Sequence, residues 1–242
     1  MTEYLTAPAK LTLSLRIVGV RSDDYHLIEA EMVSLAVADS LIVDPTASGF
    51  TIDGPFKAHV PTGRSNLVAK ALRLVGRTAG VHLTKQIPAG GGLGGGSADA
   101  AAILRWAGCT DPALAVTLGA DVPFCVVGGR AWVRGVGDVI EPMTPEPRTL
   151  TLLIPPLHVS TAAAYDMWDQ LGGRTADGDN DLEPAAIAVE PRLAYWRDWI
   201  TDLTGTRPTL AGSGATWWLD GHHAVQLAEL GNDGATVIET ST

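Results

Sequence analysis

Residues 87–108 read IPAGGGLGGGSADAAAILRWAG: a proline, then six glycines interrupted once by a leucine, running straight into an alanine-rich segment of high helix propensity. Few structures suit so bare a backbone there. A helix N-terminus carries unpaired N–H groups and a partial positive charge, and glycines let an anion approach those amides without interference from Cβ atoms. Phosphate binding is therefore one reading. The other is a flexible loop without a ligand, since glycine is the default turn residue, although flexible linkers rarely lead directly into a good helix.

Two well-known phosphate loops do not fit. A Walker-type loop ends in Gly-Lys-Ser/Thr, and no lysine follows this tract. The run Gly90-Gly91-Gly92-Leu93-Gly94-Gly95 contains G-x-G-x-x-G after a predicted strand and before a predicted helix. However, Pro88 and the extra glycines depart from the dinucleotide-binding context, and no acidic residue about twenty positions on closes a second strand. Asp111 and Asp121 lie in loop-like surroundings instead.

The remaining chain sets the context. Alternation in KLTLSLRIVGV puts Leu11, Leu13, Leu15 and Ile17 on one face of a strand over Lys10–Val20, with a second strand over about Leu27–Val43. Helical spacing covers Asn66–Gly76, VHLTKQI returns to a strand, and a helix over about Ser97–Trp106 ends before Gly108. A tight loop at Gly119–Pro123 precedes short glycine-joined strands. Prolines at 142, 145 and 147 mark a boundary before the strand TLTLLI. Beyond it, Ser160 caps a helix reaching about Leu171, and helices cover roughly 182–189 and 192–203. The chain closes as strand, LAGSGATWW turn, strand, a helix over about His222–Leu230, and a last strand ATVIET.

With 242 residues, 46% of them hydrophobic, the chain can bury a core of one large domain or two smaller ones. Its 17 Lys and Arg against 27 Asp and Glu give a net charge of −10, which argues against nucleic acid as a partner but not against a local anion site. Only Cys109 and Cys125 are present, without metal-ligand spacing, and MTEYLTAPAK has no basic-then-apolar leader, so a reduced cytoplasmic setting is expected. No apolar run approaches a bilayer span, and no membrane partner is expected.

The segment Pro88-Ala89-Gly90-Gly91-Gly92-Leu93-Gly94-Gly95-Gly96-Ser97 resembles the phosphate-binding motif of the GHMP small-molecule kinases. Pro8-Ala9-Lys10-Leu11-Thr12-Leu13, Asp24-Tyr25-His26, Leu118-Gly119-Ala120-Asp121-Val122-Pro123 and Gly212-Ser213-Gly214 follow the same family in the same order. Together they resemble the members that act on a cytidine-diphosphate polyol. The resemblance implies a two-domain α+β fold, with an ATP-binding N-terminal domain at 1–148 and an α/β C-terminal domain at 149–242 whose last strand could return to the first. It implies ATP and Mg²⁺ as cofactors and phosphorylation of the 2-hydroxyl of 4-diphosphocytidyl-2-C-methyl-D-erythritol in non-mevalonate isoprenoid synthesis. A kinase of another small alcohol and a catalytically inactive nucleotide-binding homologue are the alternatives. A monomer or weak homodimer is expected.

Residue by residue, the resemblance implies that the backbone from Pro88 to Ser97 cradles ATP phosphates, with Gly212, Ser213 and Gly214 closing over them and Asn66 and Lys85 lining the adenine pocket. Asp121 matches the catalytic aspartate, and Lys10 its cationic partner, which helps to polarise the hydroxyl. Tyr25 and His26 match the turn that holds cytosine, by stacking and by hydrogen bonding to the base edge. Thr161 matches a substrate contact and Tyr165 a second stacking ring. No carboxylate cage for a metal is visible, so Mg²⁺ is expected to be held largely through phosphates. The chain departs from the family at Thr12, usually asparagine and beside the substrate; at Asp24, usually glycine; and at Ala98-Asp99, usually Ser-Asn. It is also shorter between Trp106 and Leu118, and it carries an unusual Trp217-Trp218 pair, read as packing.

Overall fold

The alternation predicted from Lys10 begins earlier, at Glu3. In the computed structural model, which describes residues 1–58 and 60–242, β1 (Glu3–Val20) pairs antiparallel with β2 (His26–Asp44) along nearly its whole length. Register shifts between Pro8 and Lys10 and between Thr12 and Ser14 interrupt the ladder. Such irregularities re-aim side chains, and here they flank Lys10 and Thr12, both buried polar residues in a run of buried apolar ones.

The long β2 organises the first sheet. It pairs with β4 (Gly80–Thr84) near its end and with β5 (Arg130–Gly135) near its start. β3 (Gly49–Asp53) adds in parallel to β4, and β6 (Val139–Met143) adds to β5. Helices α1 (Leu67–Leu74) and α2 (Gly95–Trp106) pack together beside this sheet. The fully buried run Ala98–Leu104 explains the alanines: small side chains let α2 lie close to β1 and β2. The shortened stretch after Trp106 folds as one short helix, α3 (Pro112–Ala115), whose N-terminus Asp111 caps through Oδ1 to the Ala113 amide at 2.9 Å.

One expectation fails here. The residues after the Gly119–Pro123 turn, read as strand, form helix α4 (Val122–Val127). Proline in the first turn favours helix initiation, and Gly128 at φ 70° ends it, which together override the β preference of Val, Phe and Cys.

The second sheet has the order β10-β7-β9-β8, from β7 (Thr149–Ile154), β8 (Thr209–Leu210), β9 (Trp217–Asp220) and β10 (Thr236–Ser241). Helices α5 (Thr161–Gln170), α6 (Glu183–Val189) and α7 (Arg192–Thr204) accompany it, followed by α8 (Ala224–Leu227) and a 3₁₀ turn at Ala228–Asp233. A separate core of Leu193, Trp196, Ile200, Leu210 and Trp217 lies beneath it. Trp217 is fully buried and Trp218 packs under Arg148, its guanidinium 5.5 Å from the ring centroid. The last strand does not return to the first sheet: β10 pairs with β7 throughout, and reaches β2 through Thr240 Oγ1, which accepts a 3.2 Å bond from the Val37 amide. No described helix is long and apolar enough to cross a membrane.

Candidate active site

The glycine tract is bare because two other chain segments, β1 and the second glycine turn, press against it. Gly94 caps α2 in the left-handed region at φ 67°, and a Cβ there would stand 2.7 Å from Lys10 Cγ. A Cβ on Gly214 would stand 2.7 Å from Gly92 Cα, so the second glycine turn lies backbone against backbone on the first. The Lys10 amide donates to Leu93 O at 3.0 Å, and Thr216 Oγ1 donates to Gly91 O at 2.5 Å. The tract therefore docks on β1 from one side and on the second domain from the other. Its outer face lines a pocket of ≈ 240 Å³ together with Asn66, Leu67, Lys85 and Pro88.

Asn66 and Lys85 both sit in this pocket, but their polar groups work within the protein. Asn66 caps α1 through Oδ1, which accepts from the Val68 amide at 2.8 Å, while Nδ2 donates to Pro61 O at 2.7 Å. Lys85 Nζ pairs with buried Asp39 and, at 2.9 Å, with Asp99 Oδ2. Asp39 in turn accepts from the Ile87 amide at 2.8 Å, holding the segment that leads from β4 into the glycine tract. One ammonium between two buried carboxylates leaves Asp99 underneutralised. Burial, added to the neighbouring Asp39 charge, pushes its carboxyl up to about 7 against the pull of Lys85. Asp99 Oδ1 has no hydrogen-bond partner among the described residues.

A second cleft of ≈ 280 Å³ opens between the sheets. From the first domain it takes Lys10, Thr12, His26, Ser97 and Asp121, and from the second Thr161, Tyr165, Gly212 and Ser213. Lys10 Nζ lies 3.2 Å from Asp121 Oδ2 and donates to Thr12 Oγ1 at 3.3 Å. Lys10 is buried whereas the Asp121 side chain is 33% exposed, so the aspartate remains reachable from the cleft. Asp121 precedes α4 without capping it, which leaves both carboxylate oxygens free of local backbone bonds. Thr161 and Ser213 share a 2.9 Å hydroxyl contact that ties the start of α5 to the second glycine turn. Burial, with Asp121 nearby, holds the Tyr165 phenol well above its ordinary range.

Of the aromatic residues matched to the cytosine site, His26 and Tyr165 line the cleft and Tyr25 does not. Tyr25 stands at the hairpin tip, 62% exposed, with Arg21 5.9 Å above its ring. His26, in contrast, stacks on Tyr165 with ring centroids 4.8 Å apart. Asp24 adopts φ 64°, the left-handed conformation that favours glycine, which accounts for glycine being usual at this turn.

Several supporting residues were not singled out from the sequence. Buried Asn180, in the stretch GGRTADGDND between the helices expected to end near Leu171 and to begin near 182, donates from Nδ2 to Leu210 O at 2.9 Å and to Gly212 O at 2.7 Å. Its neighbour Asp181 accepts from Arg16 Nη1 at 2.8 Å and from the Ile17 amide at 2.9 Å. A polar loop gives no periodic signal. The only hint was a cluster of side chains able to bond with backbone groups. Asp39 lies within a strand pattern and has no such hint.

The architecture is that of the GHMP kinases. The family model for the GHMP kinases N terminal domain matches residues 66–129, which span the glycine tract and Asp121. The solved structure of Methanococcus jannaschii mevalonate kinase shares the fold, with a TM-score of 0.64 over 99% of this chain and 98% of that one at 11% identity. Closer relatives narrow the class. 4-Diphosphocytidyl-2-C-methyl-D-erythritol kinase of Nitrosospira multiformis is 36% identical over 86% of this chain and 79% of its own length. The kinase of that name from Ruegeria pomeroyi is 36% identical over 92% of this chain and 91% of its own. A crystal structure of 4-(cytidine 5'-diphospho)-2C-methyl-D-erythritol kinase superposes with a TM-score of 0.78 at 32% identity, covering 99% of this chain and 98% of that one. The chain belongs to the 4-diphosphocytidyl-2-C-methyl-D-erythritol kinase family.

Proposed function

We propose that this protein transfers the γ-phosphoryl group of ATP to the 2-hydroxyl of 4-diphosphocytidyl-2-C-methyl-D-erythritol, a step of non-mevalonate isoprenoid synthesis. The observation that carries this reading is the Lys10–Asp121 pair, 3.2 Å apart in the cleft between the sheets, with Lys10 packed against Gly94 of the glycine tract.

The left-handed glycines and the free amides at the start of α2 offer the phosphates a cradle that a larger side chain would obstruct. The acceptor hydroxyl lies against Asp121, which orients it and takes its proton, while Lys10 holds the carboxylate in place and faces the developing charge. The cytidine end extends toward His26 and Tyr165, and Thr161 and Ser213 supply hydroxyls along the cleft. Mg²⁺ fits as a companion of the triphosphate, neutralising its charge, with Asp121 the one carboxylate among the described residues that line the cleft. Two free cysteines, Cys109 and Cys125, suit a reducing cytoplasm.

The test is ATP consumption with Mg²⁺ by the purified protein, offered the cytidylated methylerythritol, homoserine, mevalonate or no acceptor. Turnover specific to the first is expected. Turnover only with another alcohol would overturn the substrate assignment.

A further inference from the structure

His26 sits on the β1–β2 hairpin, yet three residues of α5 surround its ring. Tyr165, Trp168 and Asp169 share one face of that helix by their i, i+3, i+4 spacing. The imidazole lies 4.8 Å from the Tyr165 ring at 37° and 5.6 Å from the Trp168 ring at 82°. Trp168 is itself fixed, since its Nε1 donates to Arg174 O at 3.1 Å. His26 Nε2 lies 3.0 Å from Asp169 Oδ1.

An ionised carboxylate can only accept a hydrogen bond. The contact therefore places the proton of a neutral imidazole on Nε2 and leaves Nδ1 as an acceptor. Among the described residues nothing hydrogen-bonds Nδ1, and His26 lines the substrate cleft. Asp169 is half exposed, and a surface pair of this kind contributes little to stability. Its consequence is chemical rather than structural.

We propose that Asp169 is a positioning residue that fixes His26 in its Nε2–H form, so that Nδ1 accepts from the exocyclic amine of cytosine and the cleft selects a cytidine over a uridine nucleotide. The base concerned rests on the kinase reading above. Cytosine offers an N–H donor where uracil offers a carbonyl oxygen, and two facing lone pairs leave both groups unpaired. Leaving such groups unpaired corresponds to about a tenfold or larger loss of affinity.

Binding of CDP and UDP is measured at pH 8 by tryptophan fluorescence for the wild type, Asp169→Ala and Asp169→Asn, with ¹⁵N NMR of the histidine ring reporting the tautomer. The wild type is expected to prefer CDP by about tenfold or more and to show the Nε2–H form. Asp169→Ala should lose most of that preference and show mixed tautomers. Asp169→Asn, whose amide oxygen still accepts from Nε2, should keep both. Equal binding of CDP and UDP by the wild type, an unchanged preference in Asp169→Ala, or an Nδ1–H wild-type imidazole would each overturn the proposal. Turnover assayed on the same samples separates the two readings: a CDP preference that depends on Asp169, without phosphorylation of the cytidylated substrate, would overturn the kinase reading and leave the role of Asp169 standing.

Discussion

Asp121 reaches the cleft because its carboxylate neither caps α4 nor lies buried, while Lys10 holds it from beneath. Asp121→Ala should therefore abolish turnover, by at least about a hundredfold for loss of a proton-handling group, and leave ATP affinity nearly unchanged. Turnover and nucleotide titration on the same variant check both halves. Asp99 acts by a different physics. Its carboxyl, ordinarily near 3.8, rises to about 7 in the fold, so the folded chain retains a proton that the unfolded chain has already lost. Stability then falls as pH rises from about 4 to about 7 and levels off above that. Asp99→Asn removes the titrating group and should abolish this part of the slope, with a melting temperature at pH 8 at or above that of the wild type. A melting profile unchanged from pH 5 to pH 8 in both proteins would refute the raised Asp99 carboxyl. At this scale the motifs singled out Lys10, Asp121 and His26, because each stands in a distinctive local pattern. They could not reveal Asp39, whose partner Lys85 lies 46 residues away, nor the Asp169–His26 contact, formed across 143 residues.

The elements that shape the site meet through backbone rather than side chains. A methyl on Gly214 would press within 2.7 Å of Gly92 Cα and 2.8 Å of Gly91 O, and neither atom can swing aside as a flexible side chain could. Gly214→Ala is expected to destabilise the fold by about 1–3 kcal/mol, as overpacking does, and to weaken ATP binding by separating the two glycine turns. Differential scanning calorimetry and nucleotide titration would show it; unchanged values in both would mean that the turns are apart in solution. Elements with clear periodicity, such as β2 and α2, were legible to within a few residues, whereas β1 starts at Glu3, well before the alternation that begins at Lys10. Helix α4 was not, since its six residues are too few to display a period and Val, Phe and Cys favour strands. The destination of β10 was equally hidden, because ATVIET suits an edge of either sheet and only β7 offers it a full antiparallel register.

Across the whole molecule the two sheets are joined along the length of the cleft. Leu15 donates its amide to Asp179 O at 2.8 Å and accepts from the Asp181 amide at 2.9 Å, so the loop before α6 pairs alongside β1 in a short parallel bridge. Arg16 pairs with Asp181 beside it, Thr216 bonds to Gly91, and Val37 bonds to Thr240 at the far end. Some of these bonds are buried, so separating the halves would expose paired backbone groups together with the Gly92–Gly214 contact. The boundary at the prolines before β7 divides two sheets but not two cores, since Leu150, Leu152, Trp168 and Trp218 belong to the same buried cluster as Leu11 and Leu41 of the first sheet, and the halves are not two independent folding units. Thermal unfolding should therefore be one transition. Five of the seven tryptophans lie beyond residue 148, so their fluorescence weights the second half, whereas far-UV circular dichroism samples the helices and strands of both. Coincident midpoints by the two probes are expected. Asp181→Ala, which removes the acceptor for Arg16 and the Ile17 amide, should lower both midpoints together. Two separated transitions in the wild type would mean that the inter-sheet bonds are too weak to couple the halves, and that the cleft is assembled only when ligands bridge it.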